Sequence, residues 1–143
     1  MTERYSAKYK VTIGDINYGG HLGNDKALVI FHDARIDFLQ SLGYSEKDIG
    51  DQRGIIMVES GVKYHREVFL HDELLVLIGV SELKGKKFTF EYSVRRGADE
   101  ELVIGGFTVF LAFDYTTRKV AAVPEGFRAK LGPFVFSVPF GDS

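Results

Sequence analysis

Residues 7–13, AKYKVTI, alternate strictly, with Tyr9, Val11 and Ile13 on one side and Lys8, Lys10 and Thr12 on the other. That period predicts a half-buried strand. Between Gly14 and Asp25 the alternation gives way to a polar, glycine-rich stretch. Apolar residues then return at helical spacing: Ala27, Phe31, Ala34, Phe38 and Leu42 make one stripe, widened by Leu28 and Leu39. Asn24 reads as the N-cap, Asp25 as an acid suited to the first turn, and Gly43 as the stop. Val29, Ile30 and Ile36 spread the apolar surface beyond an ordinary stripe, which predicts a helix wrapped by other structure.

No second long helical pattern follows. A polar connection, SEKDIGDQRG, leads into runs that read as strands at 55–66, 73–82, 87–96, 101–115 and 119–123. Turn residues separate them: Leu70-His71-Asp72, Lys84-Gly85-Lys86, Gly97-Ala98-Asp99 and Asp114-Tyr115-Thr116-Thr117. The run 87–96 alternates cleanly, whereas 101–115 is apolar on both faces, as a covered central strand would be. Gly105-Gly106 within it predicts a bulge, a bend or a close approach. The segment from Gly132 onward, GPFVFSVPFGDS, carries three phenylalanines with no evident partner in the chain, and residues 136–143 read as a tail suited to a subunit contact. One long helix and a run of strands make an α+β domain, with one domain over residues 1–143. Such a sheet leaves its back partly apolar, so a homodimer or homotetramer is expected.

Composition narrows the chemistry. Apolar residues make up 45% and charged residues 27%, with a net charge of −2. The two signs are interspersed, which argues against a nucleic-acid surface. There are no cysteines, so disulfides, thiol nucleophiles and thiolate metal sites are excluded. No apolar run is long enough to span a membrane, so a cytoplasmic protein is the expectation. His32, His65 and His71 show no metal-ligand spacing. No G-x-S-x-G elbow, P-loop or G-x-G-x-x-G occurs, so serine hydrolase, nucleotide hydrolase and dinucleotide-binding readings fall away.

The stretch 14–25 remains the place for a site. It holds Asp15, Asn17, His21, Asn24 and Asp25 among Gly14, Gly19, Gly20 and Gly23. Glycines permit close approach to the backbone, and the positive end of the helix faces the same space. His21 titrates near neutral pH and is the natural general base. Asp25 needs no function as a first-turn acid, Asp33 reads as a solvated acid, and Glu59, in an apolar strand beside Met57 and Gly61, is either an anchor for the loop or a second site acid.

The order Asp15…Gly20-His21…Asn24, then Ala34-Arg35, Phe38-Leu39 and Leu42-Gly43, resembles the hotdog fold in its 4-hydroxybenzoyl-CoA thioesterase-like branch. The likeness continues through Val58-Glu59…Tyr64, Asp72-Glu73-Leu74, Phe88…Tyr92 and Val123-Pro124. It implies a long central helix wrapped by an antiparallel sheet of five to six strands. It also implies hydrolysis of acyl-CoA or acyl-carrier thioesters, with coenzyme A as part of the substrate and no separate cofactor. Asp15, Asn17 and His21, supported by Asp25 or Glu59, would position water and hold the oxyanion. Backbone donors at Gly20, Gly23 and Asn24 would face the substrate, with Lys63 and Arg66 among the candidates for its phosphates. One residue departs from the branch: Asn17 stands where a second aspartate is usual, and an amide is neither base nor carboxylate nucleophile. Two rivals follow. Gly14-Asp15-Ile16-Asn17…His21 is similar to the signature of R-specific enoyl-CoA hydratases, and loss of the aspartate could leave a non-catalytic acyl-thioester-binding protein.

Overall fold

The computed structural model describes residues 2–20 and 22–136. Strand β1 (Tyr5–Lys10) is followed by helix α1 (Lys26–Ser41) and strands β2 (Arg53–Tyr64), β3 (Glu73–Lys84), β4 (Lys87–Arg96) and β5 (Leu102–Asp114). A short β6 (Lys119–Val120) and a second helix, α2 (Glu125–Leu131), complete the chain. The strands form one sheet in the order β1-β3-β4-β5-β2, with β6 on β5, and every neighbouring pair is antiparallel. This is the α+β hotdog arrangement expected from the sequence. The helix α2 carries no long apolar stripe; two turns suffice to bury Phe127 and Leu131.

Aromatic side chains fill the space between α1 and the sheet. Phe31 stacks on Tyr92 with ring centroids 4.3 Å apart. Phe38 meets Phe90 edge-on at 5.5 Å, and Phe88 and Phe110 lie 5.5 Å apart. Gly106 explains the glycine pair in β5: a Cβ there would come within 2.5 Å of both the Gly61 carbonyl oxygen and the Phe31 ring. The close approach is of the protein's own parts.

A charged group sits inside this core. Arg35, on α1, is buried; its Nε donates to Glu46 at 2.7 Å and its Nη1 to the Tyr92 hydroxyl at 3.0 Å. Tyr92 in turn bonds Thr108 at 2.6 Å, and the guanidinium lies over the Phe110 ring. Burial by itself would lower the Arg35 pKa, but Tyr92 and Glu46 outweigh it and hold the group above its ordinary value. Glu46 belongs to the segment between α1 and β2, and its carbonyl accepts the Ile55 N–H at 2.9 Å as β2 begins. One side chain thus ties the helix, the return segment and two strands together.

Four expectations change. Ile13 is exposed, because the chain leaves the strand at Val11 and tightens into a 3-10 turn at Ile13–Asp15. Asp15 is the cause: its Oδ2 accepts from the Thr12 N–H at 2.9 Å, the Thr12 hydroxyl at 3.1 Å and the Tyr9 hydroxyl at 2.8 Å. Second, α1 is not fully wrapped within one chain, since Leu28, Val29 and Ile36 stay exposed. Third, a bulge between Met57 and Glu59 shifts the register of β2. Met57 therefore pairs with Phe110 on the helix side, while Glu59, with Gly61, lies on the opposite face and is exposed. Fourth, the start of the tail has a partner in its own chain. Phe134 packs edge-on against Phe38 at 4.9 Å, and the Phe136 N–H donates to the Val80 carbonyl at 3.0 Å. The rest of the tail, 137–143, lies outside the described residues.

Two measurements check this account. Tyr92→Phe keeps the ring stack but strips a partner from Arg35 and Thr108, and should cost about 1–3 kcal/mol, read as a lower urea midpoint at constant slope. Asp15 gives a pH signature. Burial works to raise its pKa, yet the Thr12 and Tyr9 donors outweigh burial and hold it below the ordinary carboxylate value. A lowered folded-state pKa means that its contribution is complete above the unfolded value, about pH 4, and fades as pH falls through the folded value. Asp15→Asn should therefore lose about 1.5–3 kcal/mol at pH 7, with the gap from the parent narrowing in acid.

Candidate active site

The loop after β1 is pinned at several points. Gly23 donates its N–H to the Asp15 carbonyl at 2.8 Å, and Leu22 donates to the Val68 carbonyl at 2.9 Å. The second bond joins the loop to the connection between β2 and β3. Gly20 adopts φ +79, which favours glycine. The Asn17 Oδ1 accepts from the Gly19 N–H at 2.9 Å, an Asx turn. This bond holds the side-chain oxygen to the loop backbone.

Helix α1 starts one residue later than the sequence suggests. Asp25 occupies the N-cap, and its side chain makes no capping bond. It is exposed and lies 4.0 Å from the Lys26 ammonium. The Asn24 carbonyl is instead held from across the fold, accepting from the Tyr64 hydroxyl at the end of β2. Burial, then the Asp25 charge, pushes the Tyr64 pKa up, so the phenol remains a donor.

Between these elements lies an open cleft of about 450 Å³, lined by Asn17, Leu22, Asn24, Tyr64, His65, Arg66, Glu67 and Val68. It brings together Asn17, Asn24 and Arg66 of the residues singled out from the sequence. Asp15 lies buried below the loop as its anchor, and Gly20 and Gly23 shape the backbone. Asp25 and Asp33 are exposed on α1, and Lys63, like Glu59, is an exposed residue of β2 on the face away from the helix. His21 lies outside the described residues. Tyr64, His65 and Glu67 were not anticipated as lining residues; the only signal was that the strand-like pattern ends in a polar cluster there. Among the described residues no group of three or more His, Asp or Glu is placed to hold a metal ion.

The fold recurs widely among solved structures. A 1,4-dihydroxy-2-naphthoyl-CoA thioesterase from Synechocystis superimposes with a TM-score of 0.83 at 17% identity, over 91% of this chain and 96% of its own. A Staphylococcus aureus protein solved in complex with CoA gives 0.85 at 20% identity, over 94% and 85%. A gentisyl-coenzyme A thioesterase gives 0.78 at 19% identity, over 89% and 99%. A search of curated protein sequences finds no match. The family model described as the thioesterase-like superfamily matches residues 11–131, from the end of β1 through α2, and the chain belongs to that superfamily.

Proposed function

We propose that the protein hydrolyses acyl-CoA or related acyl-carrier thioesters by attack of water at this cleft. The observation that carries the reading is the joining of the glycine loop, the start of α1 and the end of β2 around one open space inside a thioesterase-like fold. The substrate carbonyl would receive hydrogen bonds from the Asn17 amide and from backbone N–H groups at Gly20, Gly23 and the start of α1. Removing one such donor typically slows a reaction by about 10²–10³. His21 would bring an imidazole for acid–base work, as base or as donor. Asp15 would act through the loop rather than on the substrate, since three donors already occupy one of its oxygens. Arg66 at the cleft would meet the phosphates of coenzyme A, while Lys63 sits on the sheet face away from the helix, outside the lining. The position of Glu59 on the far face, and of Asp25 outside the lining, favours Asn17 and His21 over either acid.

A homodimer or homotetramer fits this reading. β2 is an edge strand, paired only to β5 among the described residues, and Met57 and Val58 on it are exposed along with Leu28, Val29 and Ile36 of α1. An unpaired edge strand and an apolar helix face are each ready surfaces for a second copy. No helix of the described residues is long and apolar enough to cross a membrane, in keeping with a cytoplasmic enzyme.

Thiol release from a panel of short, long and aromatic acyl-CoAs tests the proposal. Wild type should release thiol from at least one, and His21→Ala should cut turnover by about 10²-fold or more without changing the melting temperature. No release from any member, by a folded protein, would discard the thioesterase reading; water addition to crotonyl-CoA would then identify a hydratase, and tight acyl-CoA binding without turnover a carrier.

A further inference from the structure

Asn17 stands where a carboxylate could otherwise activate water, and the structure narrows where another could come from. Asp15 is buried, with one oxygen committed to Tyr9 and Thr12. Asp25 faces solvent beside Lys26 and does not line the cleft. Asp33, on α1, does not line the cleft, and Glu59 is turned to the opposite face of the sheet by the bulge in β2. Among the described residues, one carboxylate side chain remains in the lining: Glu67.

Its placement is set by the backbone. Glu67 precedes Val68, whose carbonyl accepts the Leu22 N–H at 2.9 Å and whose side chain is buried. His65, two residues earlier, is fixed by its N–H on the Val103 carbonyl at 2.8 Å. The β2–β3 connection is therefore tied to the glycine loop on one side of Glu67 and to β5 on the other. This fixes the backbone on both sides of Glu67, an exposed residue that lines the same cleft as Asn17.

We propose that Glu67 is a further catalytic residue, the general base for the attacking water. The assignment rests on the thioesterase reading and gives Asn17 the donor side of the reaction. The water oxygen forms a bond to the thioester carbonyl carbon as one water proton passes to the Glu67 carboxylate. The tetrahedral oxyanion collapses, the C–S bond breaks, and the thiolate takes the proton back from Glu67. The products are the carboxylic acid and the free thiol, and Glu67 returns to its carboxylate form. A general base acts only in its deprotonated form, so activity should fall in acid.

The test uses full-length Glu67→Gln and Glu67→Asp beside wild type, with the best acyl-CoA of the panel. Glu67→Gln should lower kcat by about 10²-fold or more, with KM within about threefold and an unchanged melting temperature. Its remaining activity should lack the acid limb of the wild-type pH profile, while Glu67→Asp should keep that limb and part of the rate. Turnover in Glu67→Gln within about threefold of wild type, or an acid limb that survives the substitution, would overturn the assignment while leaving the thioesterase reading intact. Loss of activity in both variants together with a lower melting temperature would also overturn it, since it would mark Glu67 as structural. Absence of thiol release from wild type would remove the thioesterase reading and the base with it.

Discussion

The Arg35 guanidinium is a permanent positive charge buried between a helix and a sheet, and its partners must be in place before that interface can close. An unpaired ion there would cost several kcal/mol. Glu46, Tyr92 and Thr108 answer the charge and the hydroxyls it touches, and Phe110 supplies an aromatic face. Because these residues come from the return segment, β4 and β5, satisfying Arg35 fixes α1 along the sheet as well as against it. Phe31 and Phe38, on the same helix, can then meet Tyr92 and Phe90. Apolar packing provides the bulk of the driving force; the ion pair and its hydroxyl relay select one placement among many that would bury similar area.

That placement is what produces a site. The start of α1 is delivered to the end of β2, where Tyr64 bonds the Asn24 carbonyl. The loop leading into the helix is stiffened from below by Asp15 and from the side by the bond between Leu22 and Val68. The cleft is therefore bordered by backbone held at both ends. The polar residues around the cleft divide accordingly: Asp15, Tyr9 and Thr12 shape the loop, while Asn17, Arg66 and Glu67 line the open space.

The outer limits of the chain's structure follow from the same topology. With β1 and β2 at the edges, the sheet ends on one side in a strand of alternating lysines and on the other in a strand with exposed Met57 and Val58. Charged edges resist pairing and apolar ones invite it. The two edges of the sheet therefore differ in character, β1 charged and β2 apolar. The tail beginning at Gly132 is drawn onto Phe38 and β3.

Local periodicity was enough to read the strand–helix–strands order, because repeats of two and 3.6 residues are written into neighbouring positions. Gly43 as the helix stop was legible for the same reason; at φ +87 it adopts a conformation that few other residues take at low cost. The glycine-rich polar stretch was legible as a loop, and Asn17, Leu22 and Asn24 from it line the cleft. What could not be read were relations between residues far apart in the chain. Arg35 looked like one more helix residue until Tyr92, 57 positions later, was seen to meet it. Glu59 seemed to share a face with Met57 because strict alternation says so, and a single bulged residue reversed that. Asp15 looked like a site acid and is a turn anchor, since only the fold brings Tyr9 and Thr12 onto its carboxylate. Glu67 gave no local sign of belonging with Asn17. Spacing along a chain records which residues share an element, whereas the company of a carboxylate depends on which elements pack together, and that is settled by burial and pairing across the whole domain.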